Sequence, residues 1–137
     1  MGVKKSISKL KKELDKWFSL YIRLKDCDDN GMVKCYTSGR KYHYKQIHAG
    51  HFMSRRHLST RWLEKNVKPQ SAADNLFGQG EQYKFGLQLD NEYGIGTAEE
   101  LQFKARQTYK ITRVEYIEKI SYYKELVKNL KKQKKLE

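Results

Sequence analysis

The sequence predicts an α+β chain, mostly helical, with one small β-rich unit set between helices. Two observations carry this. Apolar residues recur at three- and four-residue steps over 7–25 and again over 116–130, the period of an amphipathic helix. Between them, residues 32–52, MVKCYTSGRKYHYKQIHAGHF, are rich in Val, Tyr and Ile and are broken by TSGR, a pattern of short strands joined by turns.

The first helix spans ISKLKKELDKWFSLYIRLK at 7–25, with Leu10, Leu14, Trp17, Phe18, Tyr21 and Leu24 on one stripe. DCDDNG at 26–31 ends it. Two or three strands follow, with a hairpin turn at Ser38-Gly39. Residues 53–69, MSRRHLSTRWLEKNVKP, show no clean period and are expected to form an ordered loop, after which Pro69 precedes a short helical stretch. Gly78 and Gly80 flank a break, and EQYKFGLQLDNEYG predicts a helix closed by Gly94. Thr97 with Glu100, and Thr112 with Glu115, have capping-box spacing for two further helices. The last carries Tyr116, Ile117, Ile120, Tyr123, Val127 and Leu130 on one stripe and ends in basic KKQKKLE.

The chain has 137 residues, 29 Lys and Arg against 16 Asp and Glu, and a formal charge of +13. Such a charge on one small domain implies a polyanionic partner, nucleic acid first and a membrane surface second. No apolar run approaches the roughly 20 residues that span a bilayer. The N-terminal segment lacks the apolar region of a secretory signal. Two cysteines, Cys27 and Cys35, make no disulfide framework and fit a reduced, cytoplasmic setting.

Four histidines stand in the chain. His43 lies in a Tyr-His-Tyr alternation and reads as a cross-strand neighbour, while His57 lies in a basic loop and is a candidate phosphate contact. His48 and His51 bracket Ala49-Gly50. In a regular strand, positions three apart face opposite sides, so both reach one site only if the chain bends between them. Gly50 allows that bend, or a close approach. Such a pair suits a metal ligand and a general base. Downstream, Asn66 and Asn75 are candidate partners, since an amide oxygen suits Mg²⁺ or Mn²⁺ in an oxygen-rich site.

His, Asn and Asn in this order resemble the NinG/Rap recombination endonucleases of lambda-like phages, which are related to the HNH, or His-Me finger, nucleases. The resemblance covers most of the chain: WFSLYIRLKDC at 17–27, HAGHFMSRR at 48–56, RW at 61–62 with Asn66, PQSAADN at 69–75, and the helices that follow. It implies one nuclease domain over 1–137: an N-terminal helix (1–26), a ββα-metal core (32–80) and a helical extension (81–137).

By position, the resemblance makes His51 the general base that activates water, Asn75 a metal ligand and Asn66 the residue that holds the loop and orients the histidine. Many relatives carry Asp immediately before the base. Here Gly50 stands there and cannot ligate, which leaves His48, and secondly Asp74, as replacement ligands for one Mg²⁺ or Mn²⁺. Family members also commonly hold two Cys-x-x-Cys pairs on structural zinc. CYTSG at 35–39 and SAAD at 71–74 retain only Cys35 of the four, so a Cys₄ zinc site is excluded and Ser38, Ser71 and Asp74 are expected to hydrogen-bond in its place. A site rebuilt from Cys27, Cys35 and His43 is the alternative.

Arg55, Arg56, Arg61 and His57 follow the motif as candidate DNA contacts, with salt-dependent and largely sequence-blind binding expected. The implied substrate is branched DNA, including four-way Holliday junctions and D-loops, in the host cytoplasm if the gene is a phage's. Two symmetric cuts imply a homodimer. The stripe of the final helix is the candidate dimer surface, if it is not used up by packing on its own domain. A non-catalytic branched-DNA-binding accessory protein on a decayed nuclease scaffold is the alternative function. Ribosomal RNA binding would explain the charge but not the histidine–asparagine order.

Overall fold

The computed structural model describes residues 4–136. It is α+β and mostly helical, with two small antiparallel two-stranded sheets. Helix α1 (Ile7–Lys25) starts at Ser6, whose hydroxyl accepts from Lys9 N at 3.1 Å. It buries Leu10, Leu14, Phe18, Ile22 and Leu24.

Helix α5 (Arg113–Gln133) begins at the predicted capping box, with Thr112 and Glu115 each bonded to the other's backbone N–H. The two long helices run parallel. Arg113 donates to the Lys5 carbonyl at one end, and Lys134 donates to the carbonyls of Lys25 and Cys27 at the other. Phe18 meets Tyr123 edge-on, with ring centroids 5.0 Å apart. Leu10, Leu14, Phe18 and Ile22 close a core with Tyr116, Ile120, Tyr123, Trp62 and Val67. Each fully buried aliphatic or aromatic side chain there contributes about 1.5–3 kcal/mol. The α5 stripe is therefore spent on its own domain. Tyr116, Ile120, Tyr123 and Val127 are buried, and of the predicted stripe only Ile117 is exposed, so the stripe is not a free dimer surface.

Strands β1 (Met32–Lys34) and β2 (Lys41–His43) pair antiparallel. The predicted turn closes them, with Gly39 at φ +77° and its N–H donating to the Cys35 carbonyl at 2.9 Å. Strand β3 (His48–His51) pairs antiparallel with β4 (Val67–Gln70), so residues 53–69 are not a plain loop. They hold a short helix, α2 (Leu58–Arg61), a 3₁₀ turn (Glu64–Asn66) and most of β4.

Pro69 hid that strand from the sequence reading, because proline cannot donate to a ladder. It is tolerated because its pair, Ala49↔Pro69, is not a hydrogen-bonded one. The Pro69 carbonyl points away from β3 and accepts from Tyr36 N at 2.8 Å. A π-helical turn (Ala73–Phe77) follows β4, so strand, strand and helical turn succeed one another around the central motif.

Helices α3 (Gln82–Tyr93) and α4 (Thr97–Ala105) form a side layer whose Phe85, Leu89 and Leu101 pack on Phe52. Gly94 caps α3 as predicted. The expected Thr97–Glu100 box is not formed. Gly96, at φ +99°, is the N-cap, and Thr97 sits one residue inside the helix, donating to the Gly94 carbonyl at 2.7 Å. Among the described residues no helix is long and apolar enough to cross a membrane.

Candidate functional site

β3 is a regular strand, not a bent one: all four of its residues keep ladder partners in β4. His48 and Gly50 face one side and Ala49 and His51 the other, as the two-residue period dictates. Gly50 serves packing rather than bending. A Cβ there would lie 2.1 Å from Gln70 Oε1 and 2.8 Å from Gln70 Cβ. Both histidines nevertheless line one groove of about 750 Å³, together with Asn75 from the π-helical turn and residues of α1. Because β4 occupies one edge of β3, a groove that receives side chains from both faces runs along the other edge.

His51 is placed by the loop that follows it. Its Nε2 donates to the Arg61 carbonyl at 2.9 Å. A carbonyl only accepts, so Nε2 carries the proton and Nδ1 the lone pair. Among the described residues Nδ1 has no partner. Burial holds the imidazole pKa below its ordinary 6.5; the Arg61 carbonyl and Asp15 act in the opposite sense, and Arg55 and Arg61 add to the lowering. At neutral pH the ring is a neutral base with its acceptor nitrogen unspent.

Asn66 holds that loop. It is fully buried, its amide donates to the carbonyls of Met53 (3.0 Å) and Thr60 (3.1 Å), and its oxygen accepts from Met53 N at 2.8 Å. Among the described residues its side chain makes no hydrogen bond to His51, and it does not line the groove. Its place is that of a positioning residue: it holds the loop as expected, and the expected hydrogen bond to the histidine is not among its contacts.

On the other side of the strand, Asn75 Nδ2 donates to His48 Nδ1 at 3.1 Å. Asn75 Oδ1 accepts from no protein group among the described residues. Asp74 is not with them. The chain turns its carboxylate to the β1–β2 turn, where it accepts from Thr37 Oγ1 at 2.6 Å and from Cys35 Sγ at 3.8 Å. Ser71 N donates to Cys35 Sγ at 3.2 Å, and Asp74 N donates to Ser71 Oγ at 3.2 Å. Burial pushes the Cys35 thiol up, but hydrogen bonds from Ser38, the Ser71 N–H and Thr37 outweigh it and hold the thiol below its ordinary range. Cys27 and Cys35 are both buried free thiols, and among the described residues no group of three or more His, Cys, Asp or Glu is gathered for a metal ion. A cation in the groove would rest on Asn75 Oδ1, joined by His48 Nδ1 only where the Asn75 amide releases that nitrogen, with water filling its shell.

The groove is basic. Lys12, Lys16, Arg23, Lys45 and Arg55 line it, against one carboxylate, Asp15. Asp15 is already held by Arg61 (2.6 and 3.2 Å) and by Trp62 Nε1 (2.9 Å). Arg61, expected at DNA, is thereby committed to joining α1 to the loop after β3; it also donates to the Arg55 carbonyl at 3.3 Å. Arg55 remains at the rim with its side chain 64% exposed. Arg56 is exposed and donates to His57 Nε2 at 3.4 Å; neither residue lines the groove. Sequence reasoning missed Asp15, Lys16, Arg23 and Lys45. Lys12, Lys16, Ser19 and Arg23 are a polar stripe at helical spacing beside the apolar one, a signal that was present but has no meaning until α1 is docked on β3.

Fold and site together define a small, basic, helix-dominated α+β protein with a histidine–asparagine groove built on a strand–strand–helical-turn unit. The chain belongs to the family described as Bacteriophage Lambda NinG protein, whose sequence model matches residues 2–134, a family of phage recombination-region proteins. No curated protein and no solved structure matches it.

Proposed function

We propose that this protein is a Mg²⁺- or Mn²⁺-dependent endonuclease that cuts branched DNA recombination intermediates, such as Holliday junctions and D-loops, in the host cytoplasm. One observation supports it above the others: His51, whose Nδ1 is unprotonated and unpartnered, is part of the lining of a groove rich in cations. Lys12, Lys16, Lys45 and Arg55 bind and orient phosphates of the DNA backbone. His51 Nδ1 takes the proton of the attacking water. Its Nε2–H stays on the Arg61 carbonyl, which fixes the ring and disperses the positive charge it gains. Asn75 Oδ1, with His48 Nδ1 once the Asn75 amide releases it, would hold the cation, and water and the substrate phosphate would supply the rest of its shell. When bound, that ion supplies Lewis-acid stabilisation of charge on the phosphate and the leaving oxygen.

Resolution of a four-way junction by paired cuts calls for a twofold dimer. With the α5 stripe used internally, the outward Val114, Ile117 and Tyr122 are its surface.

The alternative is a branched-DNA-binding accessory protein without catalysis. It is favoured by the carboxylates: Asp15 is held by Arg61 and Trp62, and Asp74 faces away. Incubation of the protein with a labelled four-way junction and Mn²⁺ separates the two. Nicked products that disappear with chelator support the nuclease. Tight, salt-sensitive binding with an intact junction supports the accessory protein.

A further inference from the structure

Leu76 and Phe77 are apolar yet 60% and 86% exposed, at the end of the turn that carries Asn75. Leu76 is itself a wall of the basic groove. The segment that holds them out is braced. Gly78 N donates to the Ala73 carbonyl at 2.7 Å, Gly80 N to the Asp74 carbonyl at 2.7 Å, and the buried Gln70 amide to the Gly80 carbonyl at 2.7 Å. Gln79, Gly80 and Glu81 then take consecutive positive φ values of 54°, 80° and 46°. Two of these are non-glycine residues in the left-handed region, where side chains are disfavoured. Strained backbone that keeps an aromatic ring in water, beside a groove built for polyanions, indicates a ligand for the ring.

We propose that Leu76 and Phe77 form a wedge that stacks on an unpaired nucleobase at a DNA branch point. The proposal rests on the reading of the groove as a DNA-binding surface and names how that surface selects branched substrates. Cations along the groove follow the phosphates without regard to sequence. Bases inside a duplex are stacked and closed to the ring. At a branch point they are the least costly to unstack, and an aromatic face accepts any of them. The pair thus reads structure where the cations read only charge.

The test is binding in chelator, which removes cleavage from the measurement. A four-way junction and a linear duplex of the same arm sequence are titrated by fluorescence anisotropy against wild type, Phe77→Ala and Phe77→Trp. Phe77→Ala is expected to weaken junction binding roughly tenfold, the loss of about one base–aromatic stack, and to leave duplex binding unchanged. Phe77→Trp should keep the preference. A 2-aminopurine at the crossover should be quenched by wild type and not by Phe77→Ala.

A wild-type junction-to-duplex ratio in Phe77→Ala overturns the wedge, leaves the nuclease reading standing, and assigns the exposed pair to a protein partner. Equal affinity of the wild type for junction and duplex also overturns it. Conversely, a protein that cuts nothing with Mn²⁺ yet loses junction preference in Phe77→Ala keeps the wedge and sinks the nuclease.

Discussion

Asp74 and Asn75 are neighbours in one helical turn, yet they serve opposite sides of the β-unit. Asp74 closes a knot with Cys35, Thr37 and Ser71 in which one polar atom after another is spent on a partner. Asn75 faces a groove in which His51 Nδ1, Asn75 Oδ1 and a set of cations keep unspent capacity. The first region is stabilising because its groups are satisfied. The second is available for chemistry because its groups are not. Buried polar clusters hold a fold in proportion to their completeness, and incomplete ones at a solvent-open groove are where a ligand belongs.

Changes on the two sides should separate activity from stability. The largest expected effect is on the groove: His51→Ala should lower cleavage of a four-way junction with Mn²⁺ by roughly 100- to 10,000-fold, the usual share of a general base. Junction affinity in chelator should be unchanged. Cleavage at the wild-type rate would return the groove to a binding role alone.

Next is the brace beneath the groove. Asn66→Ala strands Met53 N and the carbonyls of Met53 and Thr60, and should cost about 2–3 kcal/mol in urea unfolding, with a fall in cleavage that follows the displaced loop. An unaltered urea midpoint would show that Asn66 does not hold the loop. Asp74→Ala, on the closed side, should cost about 1 kcal/mol and leave the cleavage rate of the folded protein as it was. A large loss of activity at unchanged stability would mean that Asp74 reaches the groove after all.

The smallest effect is on pH. His51 titrates below 6.5 in the folded chain, so cleavage should be level above pH 6.5 and fall in acid as the base is protonated. The folded pKa lies below the unfolded one, so the same group contributes stability that is complete above pH 6.5 and lost as pH falls through the folded value. His51→Gln should remove that part of the slope in unfolding free energy between neutral and mildly acid pH. An unchanged slope would place the burial effect elsewhere.

Local signals were legible wherever a residue's role depends on near neighbours in sequence. The first helix was readable from its period, the last from its period and the Thr112–Glu115 box, and the β1–β2 turn from Ser38-Gly39, whereas the bend that the His48–His51 spacing called for is not there, because the open edge of β3 brings both rings to one groove without it. Roles that depend on distant partners were not readable. Pro69 argued against a strand because its tolerance rests on which face of the ladder it occupies. The Thr97–Glu100 box looked sound because Gly96, which takes the cap position with a positive φ, has no side chain to announce itself. Arg61 looked like a free phosphate contact because Asp15 lies 46 residues away.

By itself, then, the sequence determined the helix-dominated α+β class, the basic character and the histidine–asparagine order, since periodicity, net charge and motif are properties of the chain before it folds. Tertiary structure decided which of those residues meet. It docked α1 along α5 and β3, spent Arg61 on Asp15, turned Asp74 and Asn75 to opposite sides, and left Nδ1 of His51 as the unspent nitrogen. Each of these turns on a distance of about 3 Å between groups far apart in sequence, and only packing sets such distances.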